Sequence, residues 1–196
     1  MSRQSTVGIL LAAGFGRRFD PDGQQNKLLQ LLDNGVPVAV QAARTQLQVL
    51  DQVVAVVQCA TLAEKLAETG CHVLMFAQAH DGMGASLAHA MRHVVAQYPG
   101  AGSVLVGLAD MPYIQVPTIA SVMLELDRAA DLVQPVFQQQ GGHPVGFSSR
   151  HFAALLALQG DSGARRLLLE FPVVQLAVDD PGIIRDIDYP ADLRSQ

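Results

Sequence analysis

The chain has 196 residues, 49% of them apolar and 16% charged, which fits one folded domain with a full core and excludes a disordered chain. A net charge of −5 leaves no footprint for nucleic acid or for an anionic membrane surface. Only two cysteines occur, Cys59 and Cys71, at a spacing that fits no metal-ligand template, so free thiols in a reducing compartment are expected. The opening stretch, MSRQSTVGILLAAGFGRR, does not read as a secretion signal, because its short apolar run leads into a glycine loop with two arginines. No apolar run reaches the roughly 18 residues of a membrane span. The expected location is cytoplasmic.

Apolar runs then alternate with helical patterns. Residues 6–12 (TVGILLA) read as a buried strand closed by Gly14, followed by a loop over 13–26 rich in Gly, Asp and Gln. A helix is expected over 38–50, a second strand over 52–57, a helix over 62–68 and a third strand over 72–76. Gly82 and Gly84 break the chain before a helix over 85–97, whose Leu87, Met91, Val94 and Tyr98 share one face. A fourth strand spans 103–108 and ends at Ala109-Asp110-Met111-Pro112, and Pro117 opens a helix to 129. Strands follow over 132–137 and 144–147, helices over 150–158 and 163–171, and a strand over 173–178, with a further short strand near Ile187. This order implies βαβ units: a single-domain, three-layer α/β/α fold over 1–196, Rossmann-like, with a mostly parallel but mixed sheet of about seven strands.

Ligands of such sheets bind beyond the carboxyl ends of the strands, which directs attention to two segments. The first is LLAAGFGRRF (10–19) with the later Lys27. Gly14 and Gly16 permit tight backbone whose N–H groups can cradle phosphate, and Arg17, Arg18 and Lys27 add positive charge. The loop is neither a Walker loop nor a dinucleotide fingerprint, since the third glycine of the latter falls at Phe19. The same residues also suit a strand-to-helix turn with solvated arginines. The second segment is VLVGLADMPYI (104–114). Asp110 at the mouth of an apolar strand can hold Mg²⁺ against a triphosphate, or can simply cap a turn.

Together, LAAG-x-G-x-R-F, a later lysine and GLADMP resemble the MobA-like NTP transferase family, and within it the molybdenum cofactor cytidylyltransferase branch. GMGASL (82–87), GGHPVGF (141–147), GDSGARRLL (160–168) and DDPGIIRDIDYPADL (179–193) extend the resemblance in order over nearly the whole chain. The resemblance implies a nucleotidyltransferase that moves CMP from CTP to a phosphorylated acceptor, the molybdopterin form of the molybdenum cofactor, and releases pyrophosphate. It implies that Leu11, Ala12, Ala13, Gly14 and Gly16 wrap the nucleotide and that Arg18 and Lys27 grip the triphosphate. Asp110 and Asp188 would ligate Mg²⁺, while His143, Asp161 and Gly163 would lie on the acceptor side. Downstream partners would be a molybdoenzyme or its chaperone. Other readings of the same residues are a guanylyltransferase or sugar-phosphate nucleotidyltransferase, a non-catalytic nucleotide- or cofactor-binding protein, and, from the glycine loop alone, an oxidoreductase. Two departures from the branch stand out. The FDPDGQQN loop between Arg18 and Lys27 is long, and Phe76 and Ala79 stand where the branch carries Asn and Trp.

Three other features read as ordinary structure. His89 and His93, four apart, are expected to be a solvated pair. Gln138 to Gln140 read as a polar hairpin tip with the option of facing a cleft. Asp179-Asp180-Pro181-Gly182 reads as a turn.

Overall fold

The computed structural model describes residues 5–14, 16, 18–20, 22, 24–78 and 82–194; Arg17 and Ala79, singled out above, lie outside the described residues. The elements run β1 (Ser5–Ala12), α1 (Val38–Leu47), β2 (Val53–Val57), α2 (Ala60–Ala67), β3 (His72–Met75), α3 (Met83–Gln97), β4 (Ala101–Leu108) and α4 (Val116–Asp127). They continue through β5 (Leu132–Phe137), β6 (Gln140–Gly141), β7 (Val145–Ser148), α5 (Phe152–Leu156), α6 (Arg165–Glu170) and β8 (Val174–Ala177). Among the described residues the strands form one eight-stranded sheet in the order β3-β2-β1-β4-β7-β5-β6, with β8 beside β5.

The sheet is mixed, as expected. β1, β2, β3 and β4 run parallel, β7 pairs antiparallel with both β4 and β5, and β8 is parallel to β5. Period-two alternation in β1 sorts its side chains to the two faces. Leu10 and Ala12 join a core with α1, α2 and α4, whereas Val7 and Ile9 join a second core with α3, α5 and α6. Ile9, Leu10, Val54 and Ala55 are fully buried, which explains why these strands are near-continuous apolar runs.

Two strand expectations need correcting. Gln140–Gly141 is a strand too short to register as a pattern, paired to β5 across a two-residue turn. Gln138 and Gln139 in that turn have φ of 48° and 67°, as a type I′ hairpin requires, but neither is the Gly or Asn that signals one. No strand forms at Ile187. That residue is fully buried and donates to the Asp110 carbonyl at 2.8 Å, but it lies between the 3-10 turns Pro181–Ile184 and Pro190–Leu193. Its apolar character serves docking and not pairing.

His89 and His93 are not a freely solvated pair. His89 stacks on Phe76 with ring centroids 4.6 Å apart, and His93 stacks on His72 at 4.3 Å. Burial, then the Arg92 charge, lowers the His89 pKa from its ordinary value of 6.5. Burial, then His72 and His89, lowers that of His93. Below pH 6.5 the unfolded chain therefore takes up protons that these folded imidazoles resist, so stability falls as acid is added until the folded pKa values are passed. The urea midpoint is expected to drop between pH 7.5 and pH 5.5, and the drop should shrink in His93→Gln. A midpoint level across that range contradicts the assignment.

Candidate active site

The chain runs outward from β1 to β2 and β3 on one side, then returns to place β4 on the other. The reversal opens a crevice beyond the carboxyl ends of β1 and β4, the position where open α/β sheets bind ligands. Leu11 pairs with Leu108 at this edge, and the Ala109 N–H donates to the Leu11 carbonyl at 3.0 Å. The glycine loop and the Asp110 turn therefore leave the sheet side by side.

The loop after β1 is anchored at both ends. Phe19 is 6% exposed and packs into the α1 core, where burial of one such ring is worth about 2–3 kcal/mol. The Asp20 carboxylate accepts from the N–H groups of Asp22 (3.1 Å) and Gln25 (2.5 Å), folding the loop on itself. Asn26 then accepts from the Leu28 N–H at 2.9 Å and starts the 3-10 turn Lys27–Leu29. The extra loop length thus does not displace the lysine. Gly16, at φ 60°, lies so close that a Cβ there would stand 3.2 Å from Lys27 Cγ.

Lys27 is 7% exposed, and its Nζ donates to Asp110 Oδ2 at 2.7 Å and to Asp188 Oδ1 at 3.4 Å. The exposed Arg18 guanidinium pairs with the other oxygen of Asp188. Two carboxylates from distant parts of the chain thus converge on one cation. Among the described residues no group of three or more His, Cys, Asp or Glu side chains is arranged to hold a metal ion. A pair of hard carboxylates fits the demand of a small divalent ion that completes its shell with water and substrate phosphates. The fit is thus to a metal delivered with nucleotide, not to a complete protein cage.

Asp186 is a candidate neighbour of the site that sequence reasoning missed. Partial burial, then the charge of Asp188, raises its pKa; Asp110 adds to the rise and Lys27 opposes it, so this carboxylate belongs to the same electrostatic cluster. The signal was the alternation Asp186-Ile187-Asp188, which buries the middle residue and sends both neighbours away from it. Asp180, by contrast, is 2% exposed and accepts from Thr118 Oγ1 (2.7 Å), the Gln115 N–H (2.9 Å) and the Gly182 N–H (2.9 Å). Its oxygens hold a turn, as its DDPG context suggested.

Two adjoining chambers open from the crevice. The smaller, about 290 Å³, is bordered by Ala13, Gly14, Lys27, Asp110, Gly82 and Ser86. The larger, about 740 Å³, carries His143, Asp161, Gly163 and Arg165. Leu11, Met83, Leu108 and Asp161 border both. The side chain of Ala12 points away, into the core of the opposite face. Phe76 is buried against His89 and is no part of either lining, so the position that departs from the branch serves the core.

GMGASL and GDSGAR meet at this boundary. A Cβ on Gly82, whose φ is 104°, would stand 2.4 Å from Asp161 Oδ1, so only glycine lets the α3 N-terminus seat against the 160–162 turn. His143 follows the Gly141-Gly142 pair and enters a cis bond to Pro144. Its Nδ1 lies 3.4 Å from the Val106 carbonyl, and because a carbonyl only accepts, this contact places the ring proton on Nδ1. Burial lowers the His143 pKa, against the bond to Val106 and the carboxylates of Asp110 and Asp186. The ring is therefore neutral at pH 7 and has Nε2 as an acceptor.

The fold has counterparts among known proteins. Rv0371C of Mycobacterium tuberculosis, in complex with manganese, superposes with a TM-score of 0.75 at 26% identity, covering 96% of this chain and 95% of that one. Molybdopterin-guanine dinucleotide biosynthesis protein A from Archaeoglobus fulgidus gives 0.68 at 21% identity over 95% and 94%. The 4-diphosphocytidyl-2C-methyl-D-erythritol synthase of Anaerococcus prevotii gives 0.71 at 14% identity over 97% and 93%. The latter two support the fold alone. None of the curated proteins matches this chain. The model of the MobA-like NTP transferase domain matches residues 8–176, spanning the glycine loop, Lys27, Asp110 and the GGHP and GDSGAR segments, and the chain belongs to that family.

Proposed function

We propose that this protein transfers CMP from CTP to a phosphorylated pterin-type acceptor, the molybdopterin form of the molybdenum cofactor, with release of pyrophosphate. The observation that carries the reading is the convergence of Asp110, Asp188 and Lys27 at the sheet crevice, where Lys27 and Asp110 border a chamber of about 290 Å³ that shares Leu11, Met83, Leu108 and Asp161 with one of about 740 Å³. The LAAG loop, GGHP and GDSGAR support the cytidylyl branch by resemblance.

In this reading Leu11, Ala13, Gly14 and Gly16 border the nucleotide, and Arg18 and Lys27 bind the triphosphate and the departing pyrophosphate. Transfer of this kind needs positioning and charge neutralisation more than covalent help. An acceptor phosphate is already a nucleophile at neutral pH, so no strong base is required. Asp110 and Asp188 would hold Mg²⁺, which would supply charge neutralisation at the transferred phosphate. Neutral His143, with Asp161 and Gly163, borders the acceptor.

A second reading, transfer of GMP, uses the same machinery, since the triphosphate bound by Arg18 and Lys27 is the same for either base. The test is pyrophosphate release with molybdopterin, Mg²⁺ and each of the four NTPs. Release with CTP alone is expected. Release with GTP alone would replace the base and keep the mechanism, and no release with any NTP while nucleotide still binds would sink the proposed acceptor.

A further inference from the structure

The larger chamber has a polar lining of an unusual kind. Gln134 of β5 and Gln175 of β8 are direct partners in the parallel register, and both border the chamber. Alternation explains their shared side: Val133 and Leu176 pack into the α1 core, so their neighbours Gln134 and Gln175 face the other way. Gln140 enters the lining from the short hairpin strand. The Gln134 carboxamide is held in place. Its Nε2 donates to the Gly142 carbonyl at 3.4 Å, and it lies so flat on Gly141 that a Cβ there would stand 2.7 Å from the amide carbon.

We propose that the carboxamides of Gln134, Gln140 and Gln175 are specificity determinants that read the acceptor's ring, so that the chamber takes a neutral, flat heterocycle with amide-like edges and not a sugar phosphate. This rests on the nucleotidyl-transfer reading of the adjoining site and deepens it. Three features of the chamber point to this role. Among the described residues lining the chamber, Arg165 is the only Lys or Arg and Asp161 the only carboxylate, so its interior offers little to a polyanion. Each carboxamide presents a donor and an acceptor side by side, the complement of an amide or amidine edge. The sheet floor beneath them is apolar, with Val106, Val145 and Phe147, and gives a ring face a surface to lie on. The acceptor's phosphate then points past Asp161, which borders both chambers, toward the smaller one that Asp110 lines.

The test uses 6-hydroxymethylpterin, followed by its own fluorescence, and glucose 1-phosphate as competitor, with CTP binding followed by calorimetry. The wild-type chain, Gln134→Leu, Gln175→Leu and, as a control at the hairpin tip, Gln138→Ala would be compared. Saturable pterin binding is expected in the wild type, weakened about tenfold in either leucine variant because each leaves a ring polar group unpaired. CTP affinity should be unchanged, the tip variant silent, and glucose 1-phosphate without effect. Pterin binding indifferent to both leucine substitutions, or displaced by glucose 1-phosphate, overturns the proposal. Wild-type protein that binds pterin through these glutamines but binds no CTP would uphold the pocket and overturn the nucleotidyl-transfer reading. Protein that binds CTP but no pterin would do the reverse.

Discussion

Asp110→Asn is expected to lower turnover by about a thousandfold while leaving the protein folded, with CTP affinity reduced far less than the rate. One preorganised electrostatic contact is worth about 10²–10³ in rate in a transition state, and the substitution also removes one of the two carboxylates proposed to hold the metal. The substitution keeps the shape of the side chain and removes its charge, so it separates ligation from packing. Folding should survive because Asp110 retains 23% side-chain exposure and Lys27 keeps Asp188 as a second partner. Steady-state pyrophosphate release and a thermal melt on the same preparation decide the matter. A variant that melts much earlier yet turns over normally per folded molecule would mean that Asp110 serves only to hold Lys27.

Gly142→Ala is expected to cost about 2–4 kcal/mol, from overpacking and a lost hydrogen bond, and so to lower the melting temperature by roughly 6–12 °C. A Cβ at this position would stand 2.1 Å from the Ile183 carbonyl oxygen, a backbone atom that cannot swing aside as a side-chain tip would. The same carbonyl accepts from the His143 N–H at 2.9 Å, so the clash and the bond compete for one group. The damage should reach the site, because Ile183 begins the run that seats Ile187 against Asp110 and delivers Asp188 to Lys27. Gly100→Ala is the control: it is exposed, a Cβ there meets nothing within 4 Å, and its melt should be unchanged. Equal melts for the two variants would show that the approach of 142 to 183 is not a close one in solution.

Much of this architecture was legible before any coordinates. Near-continuous apolar runs such as QVVAVV mark strands covered on both faces, and β1, β2 and β4 fall within two residues of their expected places. What escaped was decided by tertiary partners. The β5–β6 turn adopts its left-handed conformation with two glutamines, so its local signal is missing. Ile187 looked like a strand residue because burial against a turn and burial in a sheet leave the same apolar mark. The site divides in the same way. Gly14, Lys27 and Asp110 stand out through their motifs and Asp188 through the family resemblance, but the union of Lys27 with partners 83 and 161 residues away follows only from the sheet's reversal of order. The pairing of Gln134 with Gln175 depends on strand register and carries no trace in either segment alone.

The tethering of the loop before Lys27 has a consequence for chain length. Phe19 fastens its entry in the core and Asn26 fixes its exit, so the span between them is free to vary without moving the lysine. Closing a loop costs only about 0.6 kcal/mol more for each doubling of its length, so insertions here meet little thermodynamic resistance. Relatives can therefore differ widely in the count between arginine and lysine and still build the same cluster. In this chain the buried Phe19 and the Asn26-Lys27 pair, more than any fixed spacing from the glycines, set where the lysine arrives.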